Sequence, residues 1–465
     1  MIHHTEMVDY LRAGFPVIWL KTDEPERVQR EIEPMIKSYD RINFSTHYWD
    51  LIQSPDPMEP IKKLIEGDDN SVMFAFNYHW FIGKPQPIQA IKNAFPLWAA
   101  AGKCFVIVSH KIEIPAELDK DILVMEMELP GREAIVSTIN HIVPEEKFMP
   151  TDEDLEKIVR FSKGLTRKEL ESVFSLSLIR NKKIDTETIN AYKAQALSKT
   201  GFLRVIPANR NFSDVVGYDA VKNFILDTIE DPTAKGVLFV GPPGCGKTSL
   251  AEAIVGETGK FGLIVDMGKL FSKFIGDTDK NVDMVISIIT AIGDCFVLID
   301  EFEKQFAGAG GSGDGDHGTS KRALSKWLDF LQNRPEGVYI AGTANSFIGI
   351  PPEYLRPGRW DTSPFYIDLP GDETRKTILQ FYAKKHKIKA KGVPEMSNFS
   401  GAEIEALVNV SRMKKCSLEE SKQFIIPIAQ TMSQEINALR DWAKVRCVPA
   451  DKNAEEVVKR RLDIN

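Results

Sequence analysis

Short runs of apolar residues recur along this chain, separated by longer stretches in which apolar and polar positions alternate at helical spacing. Pro16-Val17-Ile18-Trp19-Leu20 and Val72-Met73-Phe74-Ala75-Phe76 are uninterrupted and too short for helices, so both predict buried strands. Phe105-Val106-Ile107-Val108 has the same character, and the second half repeats it at Gly236–Val240, Cys295–Ile299 and Val338–Ala341. Strands apolar on both faces belong to parallel sheets sandwiched between helices. Residues 151–200 read as helices through Leu155, Ile158, Val159 and Leu165, and a second helical segment is expected from Glu373 to about Cys447. Arg204–Arg210 mixes charge with turn formers and predicts a linker, and the polar tail from Val448 is expected to fray.

The two halves share a faint internal repeat. Ile114-Pro115-Ala116-Glu117, Glu128-Leu129-Pro130-Gly131-Arg132-Glu133 and Glu169-Leu170-Glu171 are matched in order by three later segments. These are Ile350-Pro351-Pro352-Glu353, Asp368-Leu369-Pro370-Gly371-Asp372-Glu373 and Glu403-Ile404-Glu405. Each half is expected to be an α/β body followed by a helical lid. The divisions are an α/β body at 1–126, its lid at 127–200, a linker at 201–210, a second body at 211–372, and a small helical domain with the tail at 373–465.

Composition changes this picture little. With 43% apolar and 27% charged residues, 465 residues suffice for several ordinary globular domains. A net charge of −7 gives no footprint for nucleic acid or an anionic membrane, and no basic–aromatic module appears. The five scattered cysteines lack zinc or redox spacing and fit a reducing compartment. No apolar run approaches the ~18 residues of a membrane span, and the first residues lack signal-peptide order. A cytoplasmic location, or an equivalent organelle lumen, is expected. His79, His110 and His317 are isolated and read as structural or solvent-facing.

The candidate chemistry is concentrated after residue 211. Gly241-Pro242-Pro243-Gly244-Cys245-Gly246-Lys247-Thr248 is a complete G-x-x-x-x-G-K-[ST] loop between an apolar strand and the helix opening at Ser249. Its glycines free backbone N–H groups to cradle phosphates at a helix N-terminus. Lys247 is expected on the β- and γ-phosphates, and the Thr248 hydroxyl on Mg²⁺. Asp300-Glu301 closes the strand Cys295–Ile299, the strand end at which α/β folds bind ligands. There Asp300 would hold Mg²⁺, and Glu301 would orient or deprotonate the attacking water.

The span 211–410 resembles the AAA branch of the AAA+ superfamily, in a sequence that also carries Thr343-Ala344-Asn345 and Tyr354-Leu355-Arg356-Pro357-Gly358-Arg359-Trp360-Asp361. The resemblance implies a P-loop parallel sheet with a helical lid, ATP and Mg²⁺ as cofactors, and ATP hydrolysis. It assigns Asn345 as the sensor of the γ-phosphate or lytic water, and Arg356 and Arg359 as fingers reaching a neighbouring subunit's site. A closed homo-oligomer, a hexamer by analogy, follows. Asp214, Val216 and Gly217 look like the segment lying against adenine, and Gly401 and Ala402 like the lid over the base. Lys273-Phe274-Ile275-Gly276 is similar to the pore loop that grips polypeptide in threading rings. The glycine-rich stretch 307–318 stands where a second pore loop would be.

The first half departs from that pattern. Thr22-Asp23-Glu24-Pro25-Glu26-Arg27 stands at its expected phosphate loop, without glycine and with three acids, and Asn77-Tyr78-His79-Trp80 follows the strand where Mg²⁺ acids would be. A degenerate AAA-like domain before a working one resembles the hypothetical chloroplast-frame AAA proteins of algal plastids and cyanobacteria. The resemblance would allow a plastid stroma location. A ring-forming motor that remodels or threads a protein client, chaperone- or activase-like, is the leading expectation. The alternative is an ATP-dependent switch or assembly platform that recruits partners without threading. A nucleic-acid motor is disfavoured by the charge balance.

Overall fold

Alternate residues of each buried strand enter different cores. Val17 and Trp19 of the strand Val17–Lys21 pack with Trp49, Trp98 and Phe105 on one face, while Ile18 and Leu20 pack with Met7, Phe74 and Val106 on the other. Such side chains are each stabilised by about 1.5–3 kcal/mol on leaving water, so a two-sided sheet needs an unbroken apolar run. The computed structural model describes residues 2–39, 42–271, 278–306, 317–348, 350–356, 358–388 and 393–451. The chain divides into two units, one of Met1–Thr151 with Leu165–Ile184, the other of Asp152–Gly164 with Asp185–Asn465.

In the first unit β1 (Ile2–His3), β2 (Val17–Lys21), β3 (Ser45–Trp49), β4 (Ser71–Phe76), β5 (Cys104–Ser109) and β6 (Leu123–Glu126) form a parallel sheet in the order β1-β6-β2-β5-β4-β3. The second unit has β7 (Leu203–Ile206), β8 (Gly236–Val240), β9 (Phe261–Val265), β10 (Cys295–Ile299), β11 (Val338–Ala344), β12 (Phe365–Tyr366) and β13 (Val448–Pro449). Their order is β13-β12-β8-β11-β10-β9-β7, parallel except for β7 against β9.

Five strands of each sheet, β6-β2-β5-β4-β3 and β12-β8-β11-β10-β9, have the same topology. The repeated sequence anchors also fall on matching elements. Pro115 and Pro351 each precede a short 3₁₀ turn after β5 and β11, and Gly131 and Gly371 each precede the helices Arg132–Ile142 and Asp372–Lys385. Thr166 with Glu169, and Ser400 with Glu403, form reciprocal caps at the starts of Arg167–Asn181 and Gly401–Lys414.

Three sequence expectations differ from what is found. Leu203–Ile206, expected within a linker, is a strand, because Leu203 and Ile206 are buried beside β9. Val448–Pro449, expected in a frayed tail, adds an edge strand to β12. The helical segment 127–200, expected as one lid, is shared: Asp152–Ser162 and Thr186–Ser198 belong to the second unit. Long-range groups account for this. Buried Lys193 donates to the Phe161 and Lys163 carbonyls at 3.0 and 2.8 Å and lies 3.9 Å from the centre of the Phe261 ring, while Arg160 pairs with Asp294 at 3.2 Å.

Candidate functional site

Gly241 follows β8 directly, and only a glycine fits there, because an added Cβ would fall 1.9 Å from the Ile367 carbonyl oxygen. Gly244 and Gly246 have φ of 79° and 81°, the left-handed region that other residues enter at a cost. The loop thereby turns its backbone into the N-terminus of the helix Lys247–Thr258. Lys247 is buried, and its Nζ donates to the Gly241 and Pro242 carbonyls at 2.8 Å each. Among the described residues no carboxylate lies within ion-pair distance of it. Burial pushes its ammonium down to about 8. A buried cation held only by carbonyl dipoles is a ready seat for an anion.

The acid end of β10 meets this loop. Thr248 Oγ1 donates to Asp300 Oδ1 at 3.1 Å, and Thr343 Oγ1, from β11, donates to the same oxygen at 2.6 Å. Glu301 has a left-handed backbone, with φ of 52°, and its N–H donates to Thr343 Oγ1 at 3.0 Å. Its carboxylate pairs with Lys304. The Asn345 N–H donates to Glu303 Oε1 at 3.0 Å. Burial raises the Glu303 carboxyl above its ordinary range.

These groups surround a cavity of ≈ 360 Å³ within the second unit. Pro243 through Ser249, with Asp300, Glu301 and Asn345, line its polar end. Asp214 and Val216 meet Gly401 and Ala402 at the other. The lid helix is tied to the loop there by the Ala402 N–H, which donates to the Gly244 carbonyl at 3.0 Å. Ile378 and Tyr382 face Val216 across an apolar slot suited to a planar base. The cavity falls in the size range of small-molecule sites. Its cation, its backbone donors and its hydroxyl–carboxylate pair fit a nucleoside triphosphate with Mg²⁺. AAA ATPases use that pair, and Thr248 and Asp300 are the groups that could hold the metal.

Some anticipated residues lie elsewhere. Gly217 is not on the cavity wall; its φ of 85° turns the chain into Tyr218, whose N–H is held by Asp451 Oδ1 at 2.5 Å. Arg356 is exposed, Arg359 donates to the Glu353 carbonyl, and neither lines the cavity of its own chain. Buried Trp360 donates through Nε1 to the Tyr354 carbonyl at 2.8 Å and packs on Phe302, so the arginine-bearing turn leans on the residue after Glu301. Lys273, Phe274, Ile275 and Gly276 lie outside the described residues. Sequence reasoning missed Tyr218, Thr343, Glu303, Ile378, Phe381, Tyr382 and Glu405. Thr343 sits inside a recognised segment and Tyr218 directly follows one; the rest are assembled by the lid or by the turn after β10.

Among the described residues of the first unit, the loop after β2 is filled differently. Glu24, in the loop after β2, is buried; its carboxylate accepts from the Lys168 N–H at 2.8 Å and faces Arg27 at 3.4 Å. Arg27 also pairs with Glu31 at 2.8 Å and donates to the Glu128 carbonyl at 2.8 Å. A side-chain carboxylate thus joins the loop to its lid helix, where the second unit uses the Gly244 carbonyl and leaves a cavity.

Comparison with known proteins agrees. Residues 237–366 match the ATPase family associated with various cellular activities (AAA). Residues 3–127 match the SpoVK-like AAA ATPase N-terminal domain, and 133–200 the SpoVK-like AAA ATPase second domain. The chain therefore carries an AAA ATPase domain preceded by SpoVK-like N-terminal domains. It is homologous over most of its length to AAA domain-containing proteins ycf46. That of Guillardia theta is 26% identical over 478 residues, covering 93% of each chain, and that of Trieres chinensis is 25% identical over 95% of this chain and 97% of that protein. The peroxisomal ATPase PEX6 of Arabidopsis thaliana is 32% identical over 246 residues, which are 48% of this chain and 26% of that protein.

Proposed function

We propose that this ATPase works as a closed ring, a hexamer, that couples ATP turnover to remodelling of a protein client in a soluble compartment such as the cytosol or a plastid stroma. One observation carries the reading: Lys247, Thr248, Asp300, Glu301 and Asn345, from three strand ends, converge on one cavity. Lys247 and the loop N–H groups hold the triphosphate tail, and Tyr382, Ile378 and Val216 hold the base. Mg²⁺, when bound at Thr248 and Asp300, neutralises phosphate charge and aligns the leaving group. Glu301 leaves Lys304 to take a proton from the water that Asn345 orients. Arg356 and Arg359, exposed or half-buried and turned away from their own cavity, serve the neighbouring subunit, where a planar guanidinium matches the spread charge of the transferring phosphoryl group.

A Glu301→Gln variant tests this. It is expected to bind ATP with wild-type affinity, to lose phosphate release by at least about a hundredfold, and to hold its oligomer and client together in pull-downs. Wild-type hydrolysis by that variant would rule out Glu301 as the base. Exchange of partners on ATP binding alone, unaffected by the substitution, would favour a recruiting switch instead.

A further inference from the structure

We infer that Thr343 and Glu303 are positioning residues that brace the ends of β10 and β11 together, so that Glu301 and Asn345 face the cavity in working register. The inference rests on the roles just proposed for Glu301 and Asn345 and adds what holds them in place.

Thr343 is buried at the end of β11, and its hydroxyl both donates and accepts across the gap to β10. It donates to Asp300 Oδ1 at 2.6 Å and accepts from the Glu301 N–H at 3.0 Å. That N–H belongs to a residue with φ of 52°, a conformation a glutamate holds only when its surroundings dictate it. Two residues on, Glu303 reaches the other way: its Oε1 accepts from the Asn345 N–H at 3.0 Å, while Oε2 is buried without a hydrogen-bond partner. A half-satisfied buried carboxyl is expensive, and its bond to the Asn345 backbone is what it contributes there. Three hydrogen bonds thus cross between the turn after β10 and the end of β11. The phosphate grip proposed above belongs to Lys247 and the loop, not to Thr343 or Glu303.

Thr343→Val keeps the shape and removes both bonds, whereas Thr343→Ser keeps the hydroxyl. With purified full-length protein, nucleotide affinity is read by fluorescence of a labelled ATP analogue, turnover by phosphate release, and folding by thermal melting. Thr343→Val is expected to lower kcat about ten- to a hundredfold, the scale of a misplaced catalytic group, with affinity changed less than about threefold. Thr343→Ser should restore most of kcat. Glu303→Ala should lower kcat in the same sense and Glu303→Gln should rescue it, because the amide oxygen still accepts from Asn345. Equal loss in the Ser and Val variants, or a loss that appears wholly in affinity, would overturn the brace. So would unchanged kcat in Thr343→Val. If instead Glu301→Gln hydrolyses ATP normally, the assignment of the base has failed, and the brace with it. If Thr343→Val fails to melt cooperatively, the Glu303 pair alone decides.

Discussion

Lys247 has an environment far from its sequence-level description. A loop lysine is ordinarily a solvated cation near 10.5, yet here burial depresses it to about 8. The sign follows directly. Between about pH 8 and 10.5 the folded chain has released a proton that the unfolded chain still binds, so burial of this group costs stability in full below pH 8, and the cost fades as pH rises through that window. A bound triphosphate has the opposite preference, since it needs the ammonium. Apparent ATP affinity is expected to fall above pH 8, by at most about tenfold per pH unit. Titration calorimetry at pH 8.5 in buffers of different ionisation enthalpy should find proton uptake with each nucleotide bound. Release of protons, or none exchanged in wild type and Lys247→Arg alike, would contradict the depressed ammonium.

Elements with the same strand order and the same capped lid helix end in opposite uses. In the second unit the loop after β8 is glycine-rich and leaves a cavity between loop and lid. In the first, the loop after β2 sends the Glu24 carboxylate to the Lys168 N–H at the lid's first turn, backed by the buried Arg27. Glu24→Ala removes that tie and leaves Arg27 with Glu31 and the Glu128 carbonyl. A buried charge losing one of its partners costs roughly 2–3 kcal/mol here. The loss should appear as lower unfolding stability and faster amide exchange across 166–171, with nucleotide affinity of the second unit unchanged. Unaltered exchange there would mean the carboxylate does not hold the helix. The apolar runs made the strands legible at this scale, because a two-faced strand must be apolar throughout. Leu203–Ile206 escaped because Arg204 interrupts its apolar run and Pro207 closes it, and its pairing with β9 is decided by residues some 60 positions away.

For the whole molecule the function proposed above requires one nucleotide per chain and an activity that depends on association. Lys247→Ala should abolish nucleotide binding altogether, since the first unit fills its own loop with side chains. ATPase activity per chain should rise with protein concentration, and Arg359→Ala should cut it by about a thousandfold or more while leaving affinity near wild type, as finger loss does. Activity proportional to concentration down to the monomer would exclude the shared site. Much of the candidate site could be read in advance, because the phosphate loop, the acid pair and the arginine-bearing turn are local patterns whose chemistry needs neighbouring residues in the chain. The pocket for the base could not, since Ile378, Tyr382 and Glu405 come from two lid helices with no local mark of their task. By itself the sequence determined the strands, the phosphate-loop motif of the second half and the lack of that motif in the first, all matters of local composition and spacing. Only the tertiary structure decided that Thr343 and Glu303 reach across to the acid turn, that Gly217 faces Asp451 rather than the cavity, and that helices expected in one lid serve two units. Hydrogen bonds and packing between distant segments depend on how strands are ordered, and no periodicity along the chain records that order.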